Sequence, residues 1–243
     1  MKYLFLFFAL WLILGCARQI TVYTIGDSTM ANKPEPEKNP ERGWGQMLQD
    51  YFTDDVVVVN KAVNGRSTRS FIVENRWDSI YKVLKRGDYV FIQFGHNDGK
   101  ETDPLRYTNP HTTYRYNLMK FVRETRQKGA HPVILSSISR RSFNEQGALI
   151  DKHGDYTMEA RLVAEKLKVP FIDLQYLTEL MEEKYGPEDS KQLHLHYKPG
   201  ENEYFPDGKE DNTHLSIKGA NEIAGLVVEQ LKLLHLSLER KIR

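Results

Sequence analysis

Ile20-Thr21-Val22-Tyr23-Thr24-Ile25-Gly26-Asp27-Ser28-Thr29 begins as an apolar, β-branched run and breaks at a glycine. Such a run favours a strand, and the Gly-Asp-Ser punctuation favours a turn. Similar runs return at residues 56–60, 89–94, 132–136 and 171–174. Stretches with helical spacing lie between them, at 44–52, 77–84, 113–128, 156–167 and 174–185, and a last one covers 216–234. Ser216 is a candidate N-cap for that last helix. Near-continuous apolar strands alternating with helices predict a parallel sheet covered on both faces. With right-handed crossovers, the expected fold is a three-layer α/β/α sandwich with a five-stranded parallel sheet. Active sites in this class lie at the carboxyl ends of the strands.

A length of 243 residues suits one medium-sized domain, and a hydrophobic content of 40% supplies its core. Basic and acidic residues number 34 and 33, for a net charge of +1, so no broad basic field points to nucleic acid. At the N-terminus a lysine precedes a short apolar run, the pattern of a secretory signal. Spanning a bilayer takes about 20 residues, more than this run offers. The run ends in Ile13-Leu14-Gly15-Cys16, which resembles the lipobox of bacterial lipoproteins. That resemblance implies a lipidated Cys16 at the mature N-terminus and a membrane anchor. A plain secretory signal is the alternative, because Leu14 is an imperfect match. Residues 1–16 are thus read as a signal peptide with lipobox, residues 17–243 as a single domain, and the protein as exported: periplasmic, membrane-anchored or secreted. Cys16 is the only cysteine, so no internal disulfide is expected. Residues 32–43 and 186–213 read as long polar loops, which are often functional, and residues 235–243 as a frayed tail.

Four polar blocks carry chemical potential. Gly26-Asp27-Ser28-Thr29 follows the first strand, Val63-Asn64-Gly65-Arg66-Ser67 the second, and Gly95-His96-Asn97-Asp98 the third. Asp211-Asn212-Thr213-His214 precedes the last helix. Each alone reads as well as a turn or a polar loop. Together they supply a nucleophile, a base, an orienting carboxylate and oxyanion donors, and three of them sit where the fold places active sites.

The blocks resemble those of the SGNH (GDSL-type) hydrolase superfamily, whose Ser, Gly, Asn and His occur in this chain order and match Ser28, Gly65, Asn97 and His214. Thr29, the Gly65-Arg66-Ser67 run and His96 favour its sugar acetylesterase branch, closest to bacterial rhamnogalacturonan acetylesterases, over its lipase branch. The resemblance also covers Gly43-Trp44-Gly45, Asn64–Phe71 and Leu215-Ser216, so it runs through nearly all of the mature chain. It implies a flavodoxin-like SGNH hydrolase fold and acyl transfer through an acetyl-enzyme on Ser28. His214 is then the base and Asp211 its orienter, while the Ser28 and Gly65 amides and the Asn97 side chain hold the oxyanion. The expected substrate is an acetylated plant cell-wall polysaccharide or oligosaccharide. No metal or organic cofactor is required. Asp27 reads as a turn-fixing residue, and Trp44 as a core residue. Arg66 and His96 are candidate substrate contacts; Arg66 could meet a uronate carboxylate or sit in a salt bridge within the loop layer.

Three other readings compete. An acetylxylan esterase, or another short-chain carboxylesterase or lipase, can use the same fold. A metal-dependent hydrolase could use His194-Leu195-His196, although two exposed loop histidines are the plainer reading. A glycan-binding lipoprotein without catalysis is the third, and the intact nucleophile–base set speaks against it. Oligomeric state is not legible in the sequence.

Overall fold

The computed structural model describes residues 19–243; the expected signal segment and Cys16 lie outside the described residues. Five parallel strands form the central sheet: β1 (Ile20–Gly26), β3 (Val56–Asn60), β4 (Tyr89–Gln93), β5 (His131–Leu135) and β6 (Phe171–Ile172), in the spatial order β3-β1-β4-β5-β6. The register is unbroken from Ile20↔Val56 to Thr24↔Asn60 on one side of β1 and from Val22↔Tyr89 to Gly26↔Gln93 on the other. The order reverses at β1, so a crevice opens beyond the carboxyl ends of β1 and β4, the place where such sheets bind ligands.

Alternation along the strands divides the core in two. Val22, Phe91, Val133, Leu135 and Ile172 face a layer made by α1 (Trp44–Met47), α6 (Leu174–Asp189) and α7 (Ile217–Leu233). Ile25, Val90, Ile92 and Ile134 face α2 (Thr68–Val73), α3 (Arg76–Val83), α4 (Arg115–Gln127) and α5 (Gly154–Leu167). On that second face Phe71, Phe94, Trp77 and Phe121 meet edge-on or stacked. A fully buried side chain of this size contributes about 1.5–3 kcal/mol. The expected three-layer sandwich is therefore present. Ser216 caps α7 by accepting the Gly219 amide hydrogen at 3.1 Å.

Three expectations change. The segment 186–213 is not a loop throughout: β7 (His194–Tyr197) and β8 (Lys209–Ser216) pair antiparallel, and β2 (Glu41–Arg42) from the other long loop joins β8. This small sheet is built from charged and polar residues, so it carries no apolar period to read. Helix α2 was also not legible; it is six residues long, and its start is set by a capping box between Ser67 and Ser70. Residues 235–243 are docked rather than frayed: Leu238 is buried, Ile242 bridges Phe52, and the Arg243 amide donates to the Tyr51 carbonyl.

One close approach matters for the site. Gly43 lies so near the backbone of Met30 and Ala31 that a Cβ there would sit 2.2 Å from the Ala31 carbonyl oxygen. The Trp44 amide meanwhile donates to the Thr29 carbonyl at 2.9 Å. The 43–45 segment is thus clamped against the turn that carries Ser28. Among the described residues no helix is long and apolar enough to cross a membrane.

Candidate active site

The chain leaves β1 through a turn in which the Met30 and Ala31 amides both donate to the Asp27 carbonyl. The Asp27 carboxylate accepts from the Thr29 amide and hydroxyl, each at 2.9 Å. Behind it, Trp44 donates to Gln93 and Gln93 donates to Thr29, at 3.0 and 3.2 Å. Asp27 is fully buried, and burial pushes its carboxyl up against the pull of the Thr29 hydrogen bonds. It shapes the turn, as expected, and Trp44 belongs to the core.

Ser28 stands on this turn with its Oγ 3.0 Å from His214 Nε2. His214 Nδ1 lies 2.8 Å from Asp211 Oδ2. The Asp211 Oδ1 accepts the amide hydrogens of Thr213 and His214, both at 2.9 Å. Partial burial opposes the Asp211 charge, but the hydrogen bonds from His214 and these amides outweigh it and hold the carboxyl well below its ordinary range.

The local cause of this placement is an irregularity in β8. Opposite β7, His194 pairs with Leu215 while Leu195 pairs with Asp211, so Asn212, Thr213 and His214 have no ladder partners in β7 and bulge out of it. Bulges of this kind re-aim side chains beside active sites. His194 secures the bulge: its Nδ1 lies 3.1 Å from the His214 carbonyl and its Nε2 2.6 Å from Glu182 Oε1. His194 is buried, not exposed, and His196 lies 2.8 Å from Asn212. Among the described residues no group of three or more His, Cys, Asp or Glu side chains gathers to hold a metal ion.

Gly65 follows β3 in a tight turn at φ +75°, a conformation that favours glycine. No side chain would crowd it, since a Cβ would come only within 3.6 Å of Arg106 Nη1. Neither the Ser28 nor the Gly65 amide is taken by another acceptor among the described residues, so both remain available to a ligand. Asn97, after β4, donates from Nδ2 to the Arg66 carbonyl at 3.2 Å and accepts at Oδ1 from Arg106 at 3.4 Å. Its amide orientation is thus set, with a second N–H to spare.

Sequence reasoning missed Lys33. Its side chain is only 1% exposed, and it pairs with Glu41 at 2.7 Å. Its Nζ also donates to the Ser28 carbonyl at 2.6 Å and to Asn64 Oδ1 at 2.9 Å. One buried ammonium therefore ties the Ser28 turn to the Gly65 turn. A lysine in a Pro- and Glu-rich loop gives no sign of this role; only the fold of residues 32–43 creates it.

Arg66 and His96, the two candidate sugar contacts, are both bonded within the protein. Arg66 pairs with Glu74 at 3.1 Å and donates to the Asn64 carbonyl, so it takes the salt-bridge alternative. His96 is buried, with Nδ1 2.8 Å from His153 Nε2. Burial, then His153 and Arg140, drive His96 well below its ordinary value; burial and Arg140 push His153 down to about 4. Both rings are neutral near pH 7, and a single N–H joins them.

Asp98 locks the loops together. It accepts from the Thr68 amide at 3.1 Å and from the Thr108 hydroxyl at 2.7 Å. Burial pushes its carboxyl up to about 7, despite the Thr68 and Thr108 hydrogen bonds. The folded value is above the unfolded one, so the associated stability is complete below an ordinary 3.8 and is lost as pH rises through about 7. Each unit of displacement is worth about 1.4 kcal/mol. Asp98→Asn keeps the Oδ1 acceptor without the charge. Urea titrations should show the variant gaining on the wild type as pH climbs across this range. A constant difference would mean that Asp98 is ionised in the fold throughout.

Comparison with known proteins places this geometry. Residues 24–221 match the GDSL-like lipase/acylhydrolase family. The chain is 43% identical over 222 residues to the rhamnogalacturonan acetylesterase RhgT of Bacillus subtilis (strain 168), covering 91% of this chain and 94% of that protein. The crystal structure of YxiM from Bacillus subtilis superposes with a TM-score of 0.77 at 26% identity, over 90% of this chain and 58% of that one. The acetylxylan esterase Axe2 from Geobacillus stearothermophilus shares the fold, with a TM-score of 0.61 at 17% identity over 90% of this chain and 95% of that one. On its sequence, its sheet order and the residues gathered at the carboxyl ends of β1, β3 and β4, the chain belongs to the GDSL-like lipase/acylhydrolase family.

Proposed function

We propose that this protein is a serine esterase that removes O-acetyl groups from rhamnogalacturonan, the pectic backbone polysaccharide, through an acetyl-enzyme on Ser28. The observation that carries the chemistry is the continuous contact from Asp211 through His214 to Ser28, at 2.8 and 3.0 Å. The substrate is supported by the 43% identity to a rhamnogalacturonan acetylesterase over nearly the full length of both chains.

Ser28 Oγ attacks the acetyl carbonyl while His214 Nε2 takes its proton. The negative charge that develops on the carbonyl oxygen is met by the Ser28 and Gly65 amides and by the spare N–H of Asn97. His214 then gives that proton to the departing sugar oxygen, which leaves as a hydroxyl, and in a second round activates the water that releases acetate. Asp211 holds the imidazole with Nδ1–H toward itself, which leaves Nε2 free to accept. Export, with Cys16 as the anchor point, is part of the same proposal; it is supported by the apolar run and the Ile13-Leu14-Gly15-Cys16 sequence.

The test is acetate release from acetylated rhamnogalacturonan and from acetylxylan, side by side. Preference for the pectic substrate is expected. Preference for acetylxylan would keep the mechanism and replace the substrate. No release from any ester, small aryl acetates included, would leave a glycan-binding protein. Asn97→Ala should lower kcat about a hundredfold to a thousandfold with a smaller change in KM, because its bond strengthens in the transition state. Wild-type kinetics in that variant would remove Asn97 from the oxyanion site.

A further inference from the structure

Arg140 lies in the segment that leaves the carboxyl end of β5, half-buried, with Nη1 donating to the Thr213 hydroxyl at 2.8 Å. Thr213 is the residue before His214, so the guanidinium borders the catalytic bulge. A guanidinium has five N–H donors in a flat fork. Only one bond from it is made, and no carboxylate lies within ion-pair distance of it among the described residues.

The surroundings make this unusual. Lys100, two residues past Asp98, also has no carboxylate within ion-pair distance among the described residues, whereas Arg106, which touches Asn97, is paired with Asp103. Burial first, and then Arg106 and Arg140, lower Lys100 against the pull of Asp103 and Asp27, and Asp27 and Asp211 act on Arg140 from beyond ion-pair distance. Arg140 also acts on His96 and His153 across the same space. Other cations nearby make more bonds than Arg140 or Lys100, or meet a carboxylate. Lys191 meets Glu188 at 2.7 Å, Lys209 lies 3.7 Å from Asp211, and Arg141 is bonded to Ser190 and Asn212. Arg140 and Lys100, which no carboxylate contacts, add positive charge beside the bulge that carries His214, and such charge attracts an anion. A flat guanidinium with free N–H groups suits a carboxylate, which it can grip with two parallel bonds.

We propose that Arg140, assisted by Lys100, binds the carboxylate of a galacturonate residue next to the ester that Ser28 cleaves. The inference rests on the pectic reading above, since rhamnogalacturonan carries a carboxylate on every galacturonate and xylan has none in its backbone. Arg66, by contrast, shares Glu74 with Arg76 and donates to the Asn64 carbonyl.

The test compares kcat/KM for an acetylated rhamnogalacturonan oligosaccharide with that for the same oligosaccharide after its carboxylates are reduced to alcohols. Wild type, Arg140→Gln, Arg140→Lys and Lys100→Gln are measured on both. Arg140→Gln should lose about tenfold to a hundredfold more on the acidic substrate than on the reduced one. Arg140→Lys should recover part of that loss, and raised salt should slow the wild type on the acidic substrate more than it slows the variants. Lys100 is exposed, so its variant reads the same effect, in smaller measure, even if Arg140→Gln folds poorly. Equal losses on both substrates would overturn the subsite and make Arg140 a support for Thr213. Equal activity of all four proteins on the acidic substrate would overturn it as well. If the wild type works only on neutral acetates, the pectic reading itself falls and the subsite falls with it.

Discussion

Replacing Ser28 with alanine is expected to lower kcat for an aryl acetate about a millionfold. Without Oγ there is no acyl-enzyme, and His214 loses the group whose proton it takes at 3.0 Å. What survives is the oxyanion site acting on water, a small remainder of the original rate. The fold should be indifferent, because the change deletes one hydroxyl from a half-buried side chain and leaves the Asp27–Thr29 and Lys33–Ser28 carbonyl bonds in place. Turnover, a thermal melt and mass spectrometry of the acid-quenched enzyme check this together. Wild-type protein should carry an acetyl mass on Ser28 and the variant none. Residual activity within about a hundredfold of wild type would put the nucleophile elsewhere.

Asp211→Asn should cost on the order of ten-thousandfold in kcat. The side chain is nearly the same shape, and Oδ1 can still accept from the Thr213 and His214 amides. At the Oδ2 position, however, an N–H would face His214 Nδ1 at a spacing of 2.8 Å. The imidazole then moves its proton to Nε2, and a donor instead of an acceptor confronts Ser28. The variant should therefore melt close to the wild type while nearly losing turnover. A loss smaller than about tenfold would show that the tautomer is set by something other than Asp211.

Legibility in the sequence followed burial. β1, β3, β4, β5 and β6 are apolar runs with turn residues after them, and all five are found within one or two residues of their expected bounds. Their carboxyl ends then predict where Ser28, Gly65 and Asn97 gather. What stayed hidden depends on partners that are distant in sequence. Lys209 to Thr213 reads as the end of a polar loop, and becomes part of a strand only because His194–Tyr197 and Glu41-Arg42 flank β8. The buried His194–Glu182 contact and the Lys33 tether likewise join polar residues from separate elements, and neither residue type has a local pattern that announces such a pairing. Arg140 and Arg141 are neighbours in sequence, yet one lacks a counter-ion at the site and the other is bonded into the surface beside it.

The clamp of residues 43–45 against the Met30-Ala31 backbone has a consequence for how tolerance to substitution is distributed along this chain. In a saturation scan scored by hydrolysis, Gly43 would rank beside Ser28, although it offers no atom to the reaction. Scored by the amount of folded protein, the two positions would part: Ser28 would accept nearly any small residue, and Gly43 would accept none. Positions intolerant in both scores trace the scaffold behind Ser28, and positions intolerant only in the first trace the chemistry.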